Sequence, residues 1–133
     1  MAIRYDVDPL RHLVRLTHVS RTSLDLWQGA IDAVLADPGF QRGFDFIDDV
    51  TVRVDVPTTA DIRNAVAFLS SRQASIAPCR WAIVVHPQLP AIFGMIRMGE
   101  ALMEGLPIRL RAFTSVGQAL IWLGPHSVTE LPT

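Results

Sequence analysis

Two periods of hydrophobic and polar positions divide the chain into strands and helices. Residues 3–7 and 11–19 alternate every second residue, and the turn signal Asp8-Pro9 between them predicts an antiparallel hairpin. Each later strand is followed by a segment of helical spacing. Strands are predicted at 44–47, 80–85 and 108–113, and helices over 23–36, 59–74, 89–104 and from Ser115 to Gly124.

This order of elements predicts an α/β fold. After the N-terminal β-hairpin the chain is a series of β-α repeats, which favours a mostly parallel five-stranded sheet with right-handed crossovers. A length of 133 residues fits one domain. We expect residues 1–124 to form that domain and residues 125–133 to be a loose tail.

Composition narrows the classes of function. Half of the residues are hydrophobic, so a core can form without metals or disulfides. Twelve basic and thirteen acidic residues give a formal charge of −1, which does not favour binding to nucleic acid or to an anionic membrane. The single cysteine, Cys79, suggests a reducing compartment, and it is expected to be a small, inert, partly buried thiol more than a nucleophile. No signal peptide and no membrane span are visible, so a cytoplasmic protein is expected.

Candidate chemistry lies where the parallel strands end, because ligands bind there in such sheets. The third strand brings Asp48 and Asp49, the fourth His86, and the fifth Thr114 and Ser115. An Asp-His-hydroxyl set is one interpretation, but caps and turns are the more ordinary role of these residues. No Cys/His cluster or glycine-rich phosphate loop is present. We therefore expect no metal, no cofactor and no enzymatic activity.

The stretch from Phe46 to Arg63 leaves two alternatives open. Residues 50–56 are expected to be an extended excursion, since an extra strand would disturb the β-α alternation. Thr58 with Asp61 fits a capping box at the start of a helix. The same position suits a phosphate, so Thr58 and Thr59 are also candidate phosphorylation sites.

The helix predicted over 89–104 is apolar on two stripes. One stripe contains Ile92, Phe93, Ile96 and Met103, and the other contains Met95, Met98 and Leu102. Arg97 supplies polarity and can pair with Glu100. A helix of this kind is a core helix, a dimer face or the wall of an apolar pocket.

Four segments of the chain resemble a bacterial family of small STAS/SpoIIAA-like proteins, distant relatives of anti-sigma-factor antagonists. They are DPGFQRGFDFIDDV, PTTADIRNAVAFL, RWAIVV and FGMIRMGEALMEGLPIRLRAFTSVGQALIWLG. The most telling parts are F-G-M-x-R-M at 93–98 and A-L-x-W-L-G at 119–124. The resemblance covers about residues 3 to 124.

The resemblance implies a SpoIIAA-like β-α superhelix whose functional face surrounds the loop after the third strand. In STAS proteins a serine or threonine there, just after an aspartate, is phosphorylated by a partner kinase. The matching aspartate is Asp48 or Asp49, and the hydroxyls at the helix start are Thr58 and Thr59. The compact D-S-S-G type of motif is absent. Some SpoIIAA-like proteins also resemble lipid-binding Sec14-type domains.

These observations predict a non-enzymatic regulatory or protein-interaction domain of STAS-like type, acting through a protein partner or as a homodimer. The alternative is a carrier of a small apolar ligand or lipid, with Phe93, Met95, Met98 and Leu102 lining the pocket. The residues expected to bind the partner or ligand are Asp48, Asp49, Arg53, Phe93, Met95, Arg97, Met98 and Leu102.

Overall fold

The computed structural model describes residues 2–20, 22–52 and 55–124. The strands are β1 (Ile3–Asp8), β2 (Leu13–His18), β3 (Asp45–Asp49), β4 (Cys79–Val84) and β5 (Ile108–Phe113). The helices are α1 (Leu24–Ala36), α2 (Thr59–Ser71), α3 (Gln73–Ile76), α4 (Pro90–Leu102) and α5 (Val116–Leu123). The chain therefore has an α/β fold.

The five strands form one mixed sheet in the order β1-β2-β3-β4-β5. β1 and β2 are antiparallel, with Val7 opposite Val14, and the other neighbouring pairs are parallel. The short turn after Asp8 allows the antiparallel pair, whereas each parallel pair is joined through a helical crossover. The predicted hairpin and the mostly parallel five-stranded sheet are confirmed.

The two faces of the sheet are covered differently. α1, α2 and α4 pack on the face where the larger core lies, and there the rings of Phe46 and Trp81 stack with centroids 4.0 Å apart. α5 covers the opposite face, where Ala119 and Leu123 pack against Ile47 and neighbouring strand residues. A strand buried on both faces has to be apolar on both parities, which explains the continuous run in β4.

Two elements, β3 and α3, differ most from the prediction. β3 continues through Asp48 and Asp49, because their backbones pair in register with Ile83 and Val84 of β4. The two aspartates therefore lie within the strand instead of following it. The short helix α3 was not predicted, since its four residues are too few to show a helical period.

The segment after β3 agrees with the expected excursion as far as it is described. Residues 50–52 and 55–58 form no strand. Thr51 donates from its backbone N–H and its hydroxyl to Asp49 Oδ1, at 3.0 and 2.7 Å, so a turn begins directly after β3. The tail predicted at 125–133 lies outside the described residues. Within the described ranges, no helix has the length and apolar character needed to cross a membrane.

Candidate ligand-binding site

A cavity of about 320 Å³ lies between the sheet and the three helices that cover its larger core. Its wall is mostly apolar. Ser23, at the start of α1, is exposed, so the cavity reaches solvent beside that helix. The described residues that line it are His18, Ser23, Leu24, Trp27, Asp48, Val50, Pro57, Asp61, Ile62, Ala65, Val66, Leu69, Trp81, Ile83, Ile92, Ile96, Gly99, Met103 and Leu110.

Helix α4 contributes one apolar stripe to the wall, at helical spacing. The stripe consists of Ile92, Ile96, Gly99 and Met103. Gly99 allows the helix to approach the sheet closely, since a Cβ at this position would lie 3.3 Å from Leu110 Cδ2. The glycine therefore sets how near α4 lies to β5 at the cavity.

One end of the cavity is polar, and Asp48 is its centre. The carboxylate is 2 % exposed, so it needs internal donors. His18 Nε2 lies 2.8 Å from Asp48 Oδ1, while the indole N–H groups of Trp27 and Trp81 lie 2.8 and 3.4 Å from Oδ2. Three N–H donors from three different elements thus hold one carboxylate in place.

The ring of His18 extends this network to α1. His18 is 3 % exposed, and its Nδ1 lies 2.9 Å from the hydroxyl oxygen of Thr22, just before α1. Because a carboxylate only accepts, His18 donates to Asp48 through Nε2. When the ring is neutral, Nδ1 accepts from Thr22. These two hydrogen bonds connect the ends of β2 and β3 to the start of α1.

The order carboxylate–imidazole–hydroxyl is also the order found in nucleophilic catalysis. The sequence suggested such a set with His86, but the structure forms it with His18 and Thr22 instead. His86 Nδ1 accepts from the backbone N–H of Gln88 within its own loop. Among the described residues, Ser23 and His18 line the cavity and Thr22 does not.

Two described acidic residues line the cavity, and one of them, Asp48, pairs with His18, which carries a positive charge only when it is protonated. Asp48 and Asp61 are acidic, and no described lysine or arginine lines the cavity. Asp61 also belongs to the predicted capping box, which is present. Its backbone N–H donates to the Thr58 hydroxyl oxygen and its carboxylate accepts from the Thr58 backbone N–H, both at 3.0 Å.

The residues predicted after β3 have different positions. Asp48 lines the cavity, whereas Asp49 is half-buried and accepts from Thr51 in the turn. Thr58 caps α2, and Thr59 is exposed in its first turn. Arg53 lies outside the described residues.

The residues predicted on α4 do not line the cavity. Phe93 is half-buried and packs against the main core, and Met95 and Met98 are half-buried. Arg97 Nε lies 3.5 Å from Glu100 Oε2, the predicted pair, and Leu102 is 41 % exposed. On α4 the wall is formed instead by the other three members of the first predicted stripe, Ile92, Ile96 and Met103, together with Gly99.

Sequence reasoning missed three polar-end residues. His18 shares the strand parity of Val14 and Leu16, which is a signal that its ring faces the core. Trp27 lies in the helix predicted over 23–36, and Trp81 lies in the strand predicted at 80–85. Nothing in the sequence shows that both indoles donate to the same carboxylate.

The described residues contain no grouped metal ligands, and Cys79 is a free cysteine. Within the described part of the chain, no three His, Cys, Asp or Glu residues are grouped so that they could hold a metal ion. Cys79 is buried, more deeply than the partly buried thiol that was expected. Burial, and then the charge of Asp45, raise the pKa of its thiol to about 12, so little thiolate forms near neutral pH.

In comparisons with known proteins, no family model, curated protein or solved structure matches this chain.

Proposed function

We propose that this protein binds a small, mainly apolar ligand in the cavity under α1, α2 and α4. One observation carries the proposal: an apolar cavity ends at a buried carboxylate–imidazole pair. Protein cores are close-packed, and an unfilled space lowers stability in proportion to its volume. An apolar wall with a few fixed polar groups is the usual composition of a small-molecule site.

The size of the cavity agrees with this role. A volume of about 320 Å³ falls at the lower end of the ~300–1,000 Å³ found for ligand pockets. The apolar wall gives most of the binding free energy through burial of the ligand, while the polar end orients it. A compact ligand with one polar end therefore suits the site better than a long two-chain lipid.

A matched pair of substitutions on α2 tests the proposal. Ala65 lines the cavity, and Ala67 is exposed two residues away on the same helix. Ala65→Leu adds three carbon atoms inside the cavity, and Ala67→Leu adds the same atoms outside it. We expect 1-octanol, a neutral apolar probe, to bind the wild-type protein and Ala67→Leu, and to lose affinity at least about tenfold in Ala65→Leu.

Binding is read from the rise in the thermal unfolding temperature and from tryptophan fluorescence, with circular dichroism as the control for folding. Equal binding to both variants would place the octanol elsewhere on the protein. Absence of binding to the wild-type protein, with octanol and with apolar molecules of other head groups, would refute the ligand-binding function.

The second candidate is the STAS-like interaction domain, with a SpoIIAA-like superhelix as its fold. The element order, with one antiparallel pair followed by parallel β-α repeats, supports the family proposal. Val52 and Val56 are 51 % and 49 % exposed in the segment after β3, and such exposed apolar side chains support a contact surface for a homodimer. This segment adjoins the cavity through Val50 and Pro57.

Light scattering coupled to size exclusion tests this second candidate. If the segment forms a dimer contact, the double variant Val52→Ser, Val56→Ser shifts the protein towards monomer. Leu10→Ser, which removes an exposed leucine from the β1–β2 turn, is the control and leaves the mass unchanged. A wild-type protein that stays monomeric at high concentration contradicts the homodimer.

A further inference from the structure

We infer that the ligand carries a hydrogen-bond donor and no negative charge at the end that meets Asp48, which makes it an apolar amine or alcohol. This inference rests on the proposed function and adds the chemical class of the ligand. It is drawn from the acceptor position of Asp48 that no described N–H group of the protein fills and from the charges of the residues that line the cavity.

The acceptor sites of Asp48 leave room for one more donor. An ionised carboxylate offers about four lone-pair positions. The protein fills three of them with N–H groups, from His18 at Oδ1 and from Trp27 and Trp81 at Oδ2. Because Asp48 lines the cavity, a ligand O–H or N–H can complete the set.

His18 does not offer the ligand a comparable donor. Its Nε2 is directed to Asp48, and its Nδ1 is paired with Thr22. The indole N–H groups of Trp27 and Trp81 are likewise directed to Asp48. A ligand oxyanion at this end would therefore face a carboxylate and find the nearest N–H donors already committed.

The charged residues of the cavity wall also favour an amine or an alcohol over an anionic ligand. Among the described residues that line the cavity, Asp48 is the acidic group at its polar end, there is no lysine or arginine, and the ring of His18 is already paired with Asp48 and Thr22. A ligand carboxylate or phosphate would lose its hydration in the apolar cavity and would meet the carboxylate of Asp48 at the polar end. An ammonium group would instead form a charge-assisted hydrogen bond with Asp48.

The helices that begin beside the cavity do not reverse this preference. A helix N-terminus attracts anions through its free N–H groups and its dipole. The first turns of α1 and α2 already contain Asp25 and Asp61, and the hydroxyls of Ser23 and Thr58 accept from backbone N–H groups. The protein's own acidic side chains and capping hydroxyls therefore already compensate the positive ends of both helix dipoles.

A series of three probes with the same chain and different head groups tests the inference: octylamine, 1-octanol and octanoate. Near neutral pH the amine is protonated and the acid is ionised. The reporter is the variant Trp122→Phe, because Trp122 packs on the opposite face of the sheet and its removal leaves Trp27 and Trp81 as the only tryptophans, which are excited selectively over Tyr5. We expect affinity to decrease from octylamine to octanol to octanoate, with at least about a tenfold difference between the first and the last.

The variant Asp48→Asn then tests whether the carboxylate of Asp48 causes this order of affinities. The amide keeps the shape and removes the charge, so the preference for octylamine over octanoate should fall to less than about threefold. If this variant does not fold, the probe series on the Trp122→Phe protein still decides the inference.

The outcomes separate the two proposals. Octanoate binding as tightly as octylamine, or more tightly, overturns the amine or alcohol class and leaves the ligand-binding function standing. Failure of all three probes to bind refutes the ligand-binding function, and the inference with it. An unchanged preference in a folded Asp48→Asn protein overturns the assignment of the head group to Asp48.

Discussion

Asp48 is the residue on which the polar end of the cavity depends. A carboxylate that is 2 % exposed is tolerated only with donors around it, and His18, Trp27 and Trp81 provide them. Each of these donors comes from a separate part of the chain. Asp48 consequently connects β2, α1 and β4 at the end of the cavity that it lines.

We predict that Asp48→Asn lowers the free energy of unfolding by about 2–3 kcal/mol, because the amide has one acceptor oxygen for three buried donors. Asp32→Asn is the matched control. Asp32 is exposed and pairs with Arg72, a contact that lowers the pKa of Asp32 by hydrogen bonding, and its loss should cost less than about 1 kcal/mol. Urea denaturation measures both variants. Equal losses would mean that the Asp48 network does not stabilise the fold.

The contacts of individual side chains are the part of the structure that the sequence predicted least well. The sequence predicts Asp48 as a site residue because it follows a predicted buried strand, and Asp48 lines the cavity. The hydrogen bonds that Asp48 accepts could not be derived from the sequence, because His18 is 30 positions away in the chain and Trp81 is 33 positions away. Hydrogen bonds between such distant residues depend on strand register and helix placement, which residue patterns do not specify.

At the scale of elements, α4 has two different apolar faces. The stripe with Ile92, Ile96 and Met103 meets the cavity and the core, whereas Leu102 on the other stripe is exposed. Helical spacing predicted both stripes, but it does not distinguish a stripe facing a cavity from one facing solvent. The helix is therefore neither buried on all sides nor fully exposed on one face.

Helix starts were predicted more closely, because capping depends on residues three apart in the chain. Ser23, Thr58 and Ser115 each accept a hydrogen bond from a backbone N–H in the first turn. The strands also follow from alternation and apolar runs. The extension of β3 and the helix α3 were missed because tertiary pairing, and not local pattern, determines them.

Two adjacent threonines at the start of α2 provide a test of capping. Thr58→Ala removes the hydroxyl that accepts from Asp61 N–H and should lower the free energy of unfolding by about 1 kcal/mol. Thr59→Ala, one position later and exposed, should change it by less than about 0.5 kcal/mol. Thermal denaturation compares the two. A larger effect at Thr59 would show that the cap is not at Thr58.

At the scale of the whole molecule, the sheet separates two environments. The face under α1, α2 and α4 contains the cavity, with Trp27 and Trp81 at its polar end. The face under α5 is a small apolar cluster with Trp122 packed against it. The three tryptophans of the chain are thus divided between the site and the opposite face, which provides an internal control for any ligand.

The most direct test of ligand binding in the cavity is a titration of the ¹⁵N-labelled protein with octylamine, followed through the indole N–H signals by NMR. A ligand in the cavity contacts the acceptor shared by Trp27 and Trp81, so both signals should shift in proportion to occupancy, while the Trp122 signal stays in place. Shifts confined to Trp122, or no shift of the cavity indoles at saturating octylamine, would contradict the account.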